Sequence, residues 1–89
     1  MKILEDLITT IRNRKNSSLK ESYTKKLLDN KKLAQEKVEE EIKELIEAVN
    51  KNDNKIHEAA DVLYHLIVYL ETNNIKIEDV LDELERRKK

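Results

Sequence analysis

Val62-Leu63-Tyr64-His65-Leu66-Ile67-Val68-Tyr69-Leu70 is apolar or aromatic at every position but one. At 100° per residue these side chains cover the whole circumference of a helix, so one amphipathic contact cannot bury them. The stretch is far shorter than the roughly 20 residues of a membrane span. It sits inside a helical pattern over about residues 55 to 73 that ends at Asn73-Asn74. Such a helix must be covered on all sides, and this requirement decides the fold: all-α, an antiparallel helical bundle.

The covering helices are thinner. Ile3, Leu4, Leu7, Ile8 and Ile11 predict an amphipathic helix over about residues 2 to 14, stopping near Asn16-Ser17-Ser18. Ser22 or Thr24 can cap a short helix carrying Leu27 and Leu28, which runs into Asp29-Asn30. From about 31 to 50, Leu33, Ala34, Val38, Ile42, Leu45, Ile46 and Val49 hold one stripe, ending at Asn50-Lys51-Asn52-Asp53-Asn54. Ile75, Ile77, Val80, Leu81 and Leu84 define a last helix, and its basic end Arg86-Arg87-Lys88-Lys89 suits the negative pole of the helix dipole. With 89 residues the chain reads as a single domain, residues 1–89. A chain of this size buries only about 60 to 65% of the surface its unfolded form exposes. A second copy is the natural cover for residues 62 to 70, so the bundle is expected to be completed by homodimerisation on the third and fourth helices.

Composition excludes much. Glycine, proline and cysteine are all absent, which removes glycine-rich phosphate loops, disulfides, thiolate metal sites and thiol nucleophiles. The 18 basic and 19 acidic residues leave a net charge of −1, so no bulk electrostatic attraction to nucleic acid or acidic membranes exists. Glu5 and Asp6 interrupt the first turns, unlike a signal peptide. A cytoplasmic protein is expected.

The third predicted helix carries Glu39-Glu40-Glu41-Ile42-Lys43-Glu44, and Glu40, Glu41 and Glu44 fall together on the flank of the Val38/Ile42/Leu45 stripe. On an exposed helix these acids would be a solvated face, each like-charge pair costing a few tenths of a kcal/mol. Glu58 and Asp61 argue against that reading, because they share a face of the fourth helix just before the segment that must be buried. Burying unpaired anions costs several kcal/mol each unless cations or a metal ion compensate. In an antiparallel hairpin across residues 50 to 54 the two acidic groups lie at comparable heights. Facing carboxylates make a site for hard divalent cations, Mg²⁺ or Mn²⁺ rather than zinc, since no histidine or cysteine joins at ligand spacing. His65 reads as a hydrogen-bonded core residue and His57 as exposed near the helix start.

Glu40-Glu41-x-x-Glu44, thirteen residues, then Glu58-x-x-Asp61 resembles the signature of the all-α nucleoside triphosphate pyrophosphohydrolases, the MazG-like superfamily. Within it the chain most resembles the phosphoribosyl-ATP pyrophosphohydrolase family. That likeness extends through Leu4-Glu5-Asp6-Leu7, Arg12 to Lys15, Glu21-Ser22-Tyr23-Thr24-Lys25-Lys26-Leu27-Leu28, Ala59-Ala60-Asp61-Val62-Leu63-Tyr64-His65-Leu66 and Ile77 to Arg87. Where relatives usually carry a glycine before the third helix and small residues within the acidic motif, this chain has Asp29-Asn30-Lys31-Lys32 and Glu39, Ile42 and Lys43. None of these changes removes a carboxylate.

The resemblance implies Mg²⁺-dependent hydrolysis of phosphoribosyl-ATP to phosphoribosyl-AMP and pyrophosphate, the second step of histidine biosynthesis. It implies Glu41, Glu44, Glu58 and Asp61 as metal ligands, with Glu40 either a ligand or the base that orients water. Lys32 and Lys37 are candidates for the phosphates, their ordinary alternative being salt bridges to Glu36 or Glu41. Ser22, Tyr23 and Thr24 are helix caps that also look like part of the substrate site. Tyr64 and Tyr69 read as core or interface residues rather than base-stacking platforms. Two rival readings share these features in part: a house-cleaning pyrophosphohydrolase with the same metal site, and a non-enzymatic helical dimerisation module.

Overall fold

The computed structural model describes residues 1–16 and 22–88. Five helices follow in order: α1 (Lys2–Lys15), α2 (Tyr23–Leu28), α3 (Lys31–Lys51), α4 (Lys55–Thr72) and α5 (Ile77–Arg87). The expected stop of the first helix is met at Asn16; Ser17, Ser18, Glu21 and Lys89 lie outside the described residues. The last helix starts at Ile77, so Ile75 belongs to the turn before it.

Asparagine does the work of the missing glycine. Asn52, Asn54 and Asn74 hold left-handed backbone at φ 55°, 59° and 60°, which asparagine tolerates better than other residues bearing a side chain. At the end of α3, Asp53 N donates to Ala48 O and Asn52 N to Val49 O; at the end of α4, Ile75 N donates to Leu70 O and Asn74 N to Glu71 O. Both are Schellman closures, which satisfy the last carbonyls of each helix. The loop before α3 needs no such residue: Asp29 at φ −90° and Asn30 at φ −139° occupy regions open to any side chain. Asn30 instead caps α3, its Oδ1 accepting from Leu33 N at 3.0 Å.

α3 and α4 form the antiparallel hairpin, and α2 packs across α4 with α1 beside it. The core joins Ile8 and Ile11 of α1, Leu27 and Leu28 of α2, Ala34 of α3, Ile67 and Val68 of α4 and Ile77 of α5. The single stripe expected on α3 is divided. Ala34, Val38 and Ala48 face inward, whereas Ile42, Ile46 and Val49 remain exposed. On α4, Ile67 and Val68 are fully buried while Leu63 and Leu66 are 50% and 39% exposed. One copy of the chain therefore covers only part of the circumference of residues 62 to 70. Among the described residues no helix is long and apolar enough to cross a membrane.

Candidate active site

The inward face of α3 runs Ala34, Val38, Glu41, Leu45, Ala48, so Glu41 takes a position where the helical period calls for an apolar residue. The matching face of α4 runs Glu58, Asp61, His65, Val68, Thr72. Pairing these faces brings oxygens of Glu41, Glu44 and Glu58 within 4.8 Å of one another. Glu58 also belongs to a second group, with His57 and Asp61, whose ligand atoms likewise lie within 4.8 Å of one another. The hairpin thus gathers all four acids named as metal ligands, with Glu58 common to both groups.

Electrostatics shows these carboxylates short of positive charge. Glu41 Oε2 and Glu58 Oε2 are buried and have no hydrogen-bond partner. Burial pushes the Glu41 carboxyl above its ordinary value, and the negative charge of Glu44 adds to the effect. Burial likewise raises Glu58, with Glu44 and Asp61 contributing. Among the described residues no lysine or arginine pairs with Glu41, Glu44 or Glu58. Buried carboxylate oxygens are normally satisfied, so two orphans in one cluster call for a cation. The Glu41, Glu44 and Glu58 group offers oxygen donors alone, which suit Mg²⁺ or Mn²⁺.

Three expectations need correction or refinement. Glu40 stands outside both acid groups; it is exposed and accepts from Lys37 Nζ at 3.3 Å. Lys37 therefore pairs with Glu40 and with neither Glu36 nor Glu41, and that bond raises its pKa. His57 is exposed as expected, yet its Nε2 lies 3.3 Å from Asp61 Oδ2, so a histidine does join the acids at ligand spacing. The i, i+4 interval between the two residues was the available signal. Lys32 is exposed on the first turn of α3.

The α2 residues divide in role. Ser22 caps the helix, its Oγ accepting from Lys25 N at 3.3 Å. Tyr23 bonds through its hydroxyl to His65 Nε2 at 2.9 Å, and Thr24 Oγ1 bonds to the Tyr64 hydroxyl. His65 is buried in the core, as its place in an apolar helix predicted. Tyr64 and Tyr69 pack against the core.

A second charged cluster was not foreseen. Arg12 Nη1 and Nη2 donate to both Glu78 oxygens at 2.7 Å, and its Nε donates to Glu71 Oε1 at 2.7 Å. Glu71 is buried. Its place directly after the apolar run was a signal, but nothing local pointed to a partner 59 residues away.

Fold and site together define an all-helical bundle in which unneutralised carboxylates converge between two antiparallel helices. A profile described as phosphoribosyl-ATP pyrophosphohydrolase matches residues 4–88, and the chain belongs to that family. It is 38% identical over 93 residues to a phosphoribosyl-ATP pyrophosphatase of Methanococcoides burtonii, covering 99% of this chain and 94% of that protein. It is 44% identical over 87 residues to one of Allorhizobium ampelinum, covering 94% and 84%. A Pyrococcus furiosus histidine biosynthesis bifunctional protein is 39% identical over 90 residues; the match takes in all of this chain and 43% of that longer protein.

Proposed function

We propose that the protein hydrolyses phosphoribosyl-ATP between the α and β phosphates, releasing pyrophosphate and phosphoribosyl-AMP in the second step of histidine biosynthesis. The observation that carries this reading is the pair of orphaned oxygens, Glu41 Oε2 and Glu58 Oε2, inside a carboxylate cluster that no lysine or arginine among the described residues pairs with. A triphosphate adds about four negative charges, so it can approach only with divalent cations.

Glu41, Glu44, Glu58 and Asp61 hold Mg²⁺, with Mn²⁺ as a substitute. Mg²⁺ held there would supply Lewis-acid activation of water and compensation of the charge on the leaving pyrophosphate. Glu40, outside the converging oxygens, orients the attacking water. Lys37 and Lys32, on the same helix, meet the phosphates as mobile point charges. Ser22, Tyr23 and Thr24 border the substrate.

The working form is a cytoplasmic homodimer. One chain exposes 6815 Å², against about 5,500 Å² for a compact monomer of this mass. Its radius of gyration is 14.1 Å, against about 12 Å. Ile42, Ile46, Val49, Leu63 and Leu66 supply the apolar surface a second copy would cover.

The test is pyrophosphate release from phosphoribosyl-ATP and from a panel of nucleoside triphosphates, with Mg²⁺ and after its verified removal, on a sample sized by light scattering. Preferential, metal-dependent turnover of phosphoribosyl-ATP by a dimer is expected. Full turnover in chelator would refute the metal site, equal turnover of the panel would favour a house-cleaning enzyme, and a stable 10.6 kDa monomer would refute the dimer.

A further inference from the structure

His65 links the acid-bearing helix to the first turn of α2. Its Nδ1 lies 2.9 Å from the backbone carbonyl of Asp61, and its Nε2 lies 2.9 Å from the Tyr23 hydroxyl. A carbonyl only accepts, so Nδ1 must carry the proton. In the neutral ring Nε2 is then the acceptor, and the Tyr23 O–H donates to it. That leaves the Tyr23 oxygen with lone pairs alone to offer. Half of Tyr23 is exposed, and its hydroxyl is close enough to Lys37, Glu41 and Glu40 to feel their charges.

α2 has only six residues, too few to hold its place by helix formation alone. Buried Leu27 and Leu28 fix its far end, while Tyr23–His65 and Thr24–Tyr64 fix the near end as two neighbouring rungs on α4. The rings of Tyr23 and Tyr64 stand edge-on to the imidazole at 5.9 and 5.0 Å, so the orientation of His65 is set from both sides.

We propose that His65 is a positioning residue that commits the Tyr23 proton and presents the Tyr23 oxygen to the substrate as an acceptor only. A phosphate oxygen offers no proton at neutral pH and is repelled by such a group. A sugar hydroxyl fits it, and the ribose of the adenosine half is the one directly attached to the reacting phosphates. This assignment deepens the proposed hydrolysis of phosphoribosyl-ATP and rests on it.

The test compares phosphoribosyl-ATP with its counterparts built on 2′-deoxy- and 3′-deoxyadenosine. Tyr23→Phe should lower kcat/KM for the parent by about tenfold, the worth of one hydrogen bond, and should leave one of the two deoxy substrates unaffected. His65→Leu should match Tyr23→Phe, the double variant should be no worse, and His65→Gln, which keeps an acceptor, should recover part of the loss. Nitrogen NMR of the metal-free protein should show His65 protonated at Nδ1. A ring protonated at Nε2, or a Tyr23→Phe penalty equal on all three substrates, would overturn the proposal while leaving hydrolysis standing. A wild-type protein that turns over none of the three would overturn both.

Discussion

Two carboxylate clusters lie at opposite ends of α4, and they solve the same problem in opposite ways. Glu71 and Glu78, at the end towards α5, share the guanidinium of Arg12. Its hydrogen bonds hold Glu78 down at about 2, and the two acids in turn raise Arg12. Glu41, Glu44 and Glu58, at the other end, have no such partner among the described residues, and burial pushes Glu41 and Glu58 up. The first cluster is electrically finished by the polypeptide. The second keeps its like-charge repulsion among the described residues, the pattern expected of a binding site rather than of a structural clasp. The start of α4 softens the cost, because its first-turn Glu58 meets the positive pole of the helix dipole.

Substitution is the strongest way to break this comparison. Glu41→Gln, Glu58→Gln or Asp61→Asn should cut Mg²⁺-dependent turnover on the order of 1,000-fold, since each removes charge from the set proposed to hold the metal. The same variants should hold or raise the melting temperature of the metal-free protein. Melting curves with and without Mg²⁺, beside pyrophosphate release, check both halves. Wild-type turnover by Asp61→Asn would show that the site is misassigned.

At the finished cluster the effect falls on stability. Arg12→Met strands Glu71, whose side chain is only 10% exposed, and should cost about 3 kcal/mol in urea unfolding. Arg12→Lys keeps the charge but loses the planar fork, and should cost about 1 kcal/mol. A neutral Arg12→Met would mean that the clasp does not hold α1 against α4 and α5.

pH separates the clusters more gently. For Glu78 the folded value is lowered, so its contribution is complete above the ordinary glutamate range, about 4.3, and is lost as pH falls towards 2. For Glu41 and Glu58 the folded values are raised, so the folded protein binds more protons than the unfolded chain and stability falls as pH rises from that range. Metal-free melting temperature should therefore decline from both sides of a maximum, and saturating Mg²⁺ should flatten the upper decline. An upper limb indifferent to Mg²⁺ would count against the cation site.

The smallest change is expected at Glu83, which is half-buried and, among the described residues, pairs only within its own helix, with Arg86 and Arg87 at 3.2 and 3.3 Å. Glu83→Gln should shift stability by no more than about 0.5 kcal/mol and leave turnover intact.

Helix formation in this chain is a local matter, and so the sequence by itself determined it. Apolar spacing set the five helices, and asparagine and serine at their ends set the boundaries to within a few residues, because caps and left-handed turns depend on near neighbours. The acid spacing on the third and fourth helices also determined which carboxylates could meet, since a short turn fixes the register of a hairpin. Rotation of each helix about its axis is not local. Only the tertiary structure decided that Ile42, Ile46 and Val49 turn away from the core and that Glu40 swings out to Lys37. The pairings of Arg12 with Glu71 and of Tyr23 with His65 join residues 59 and 42 positions apart. A helical period states which residues share a face, whereas the neighbour that face meets is settled when the helices pack and every buried polar group must find its partner.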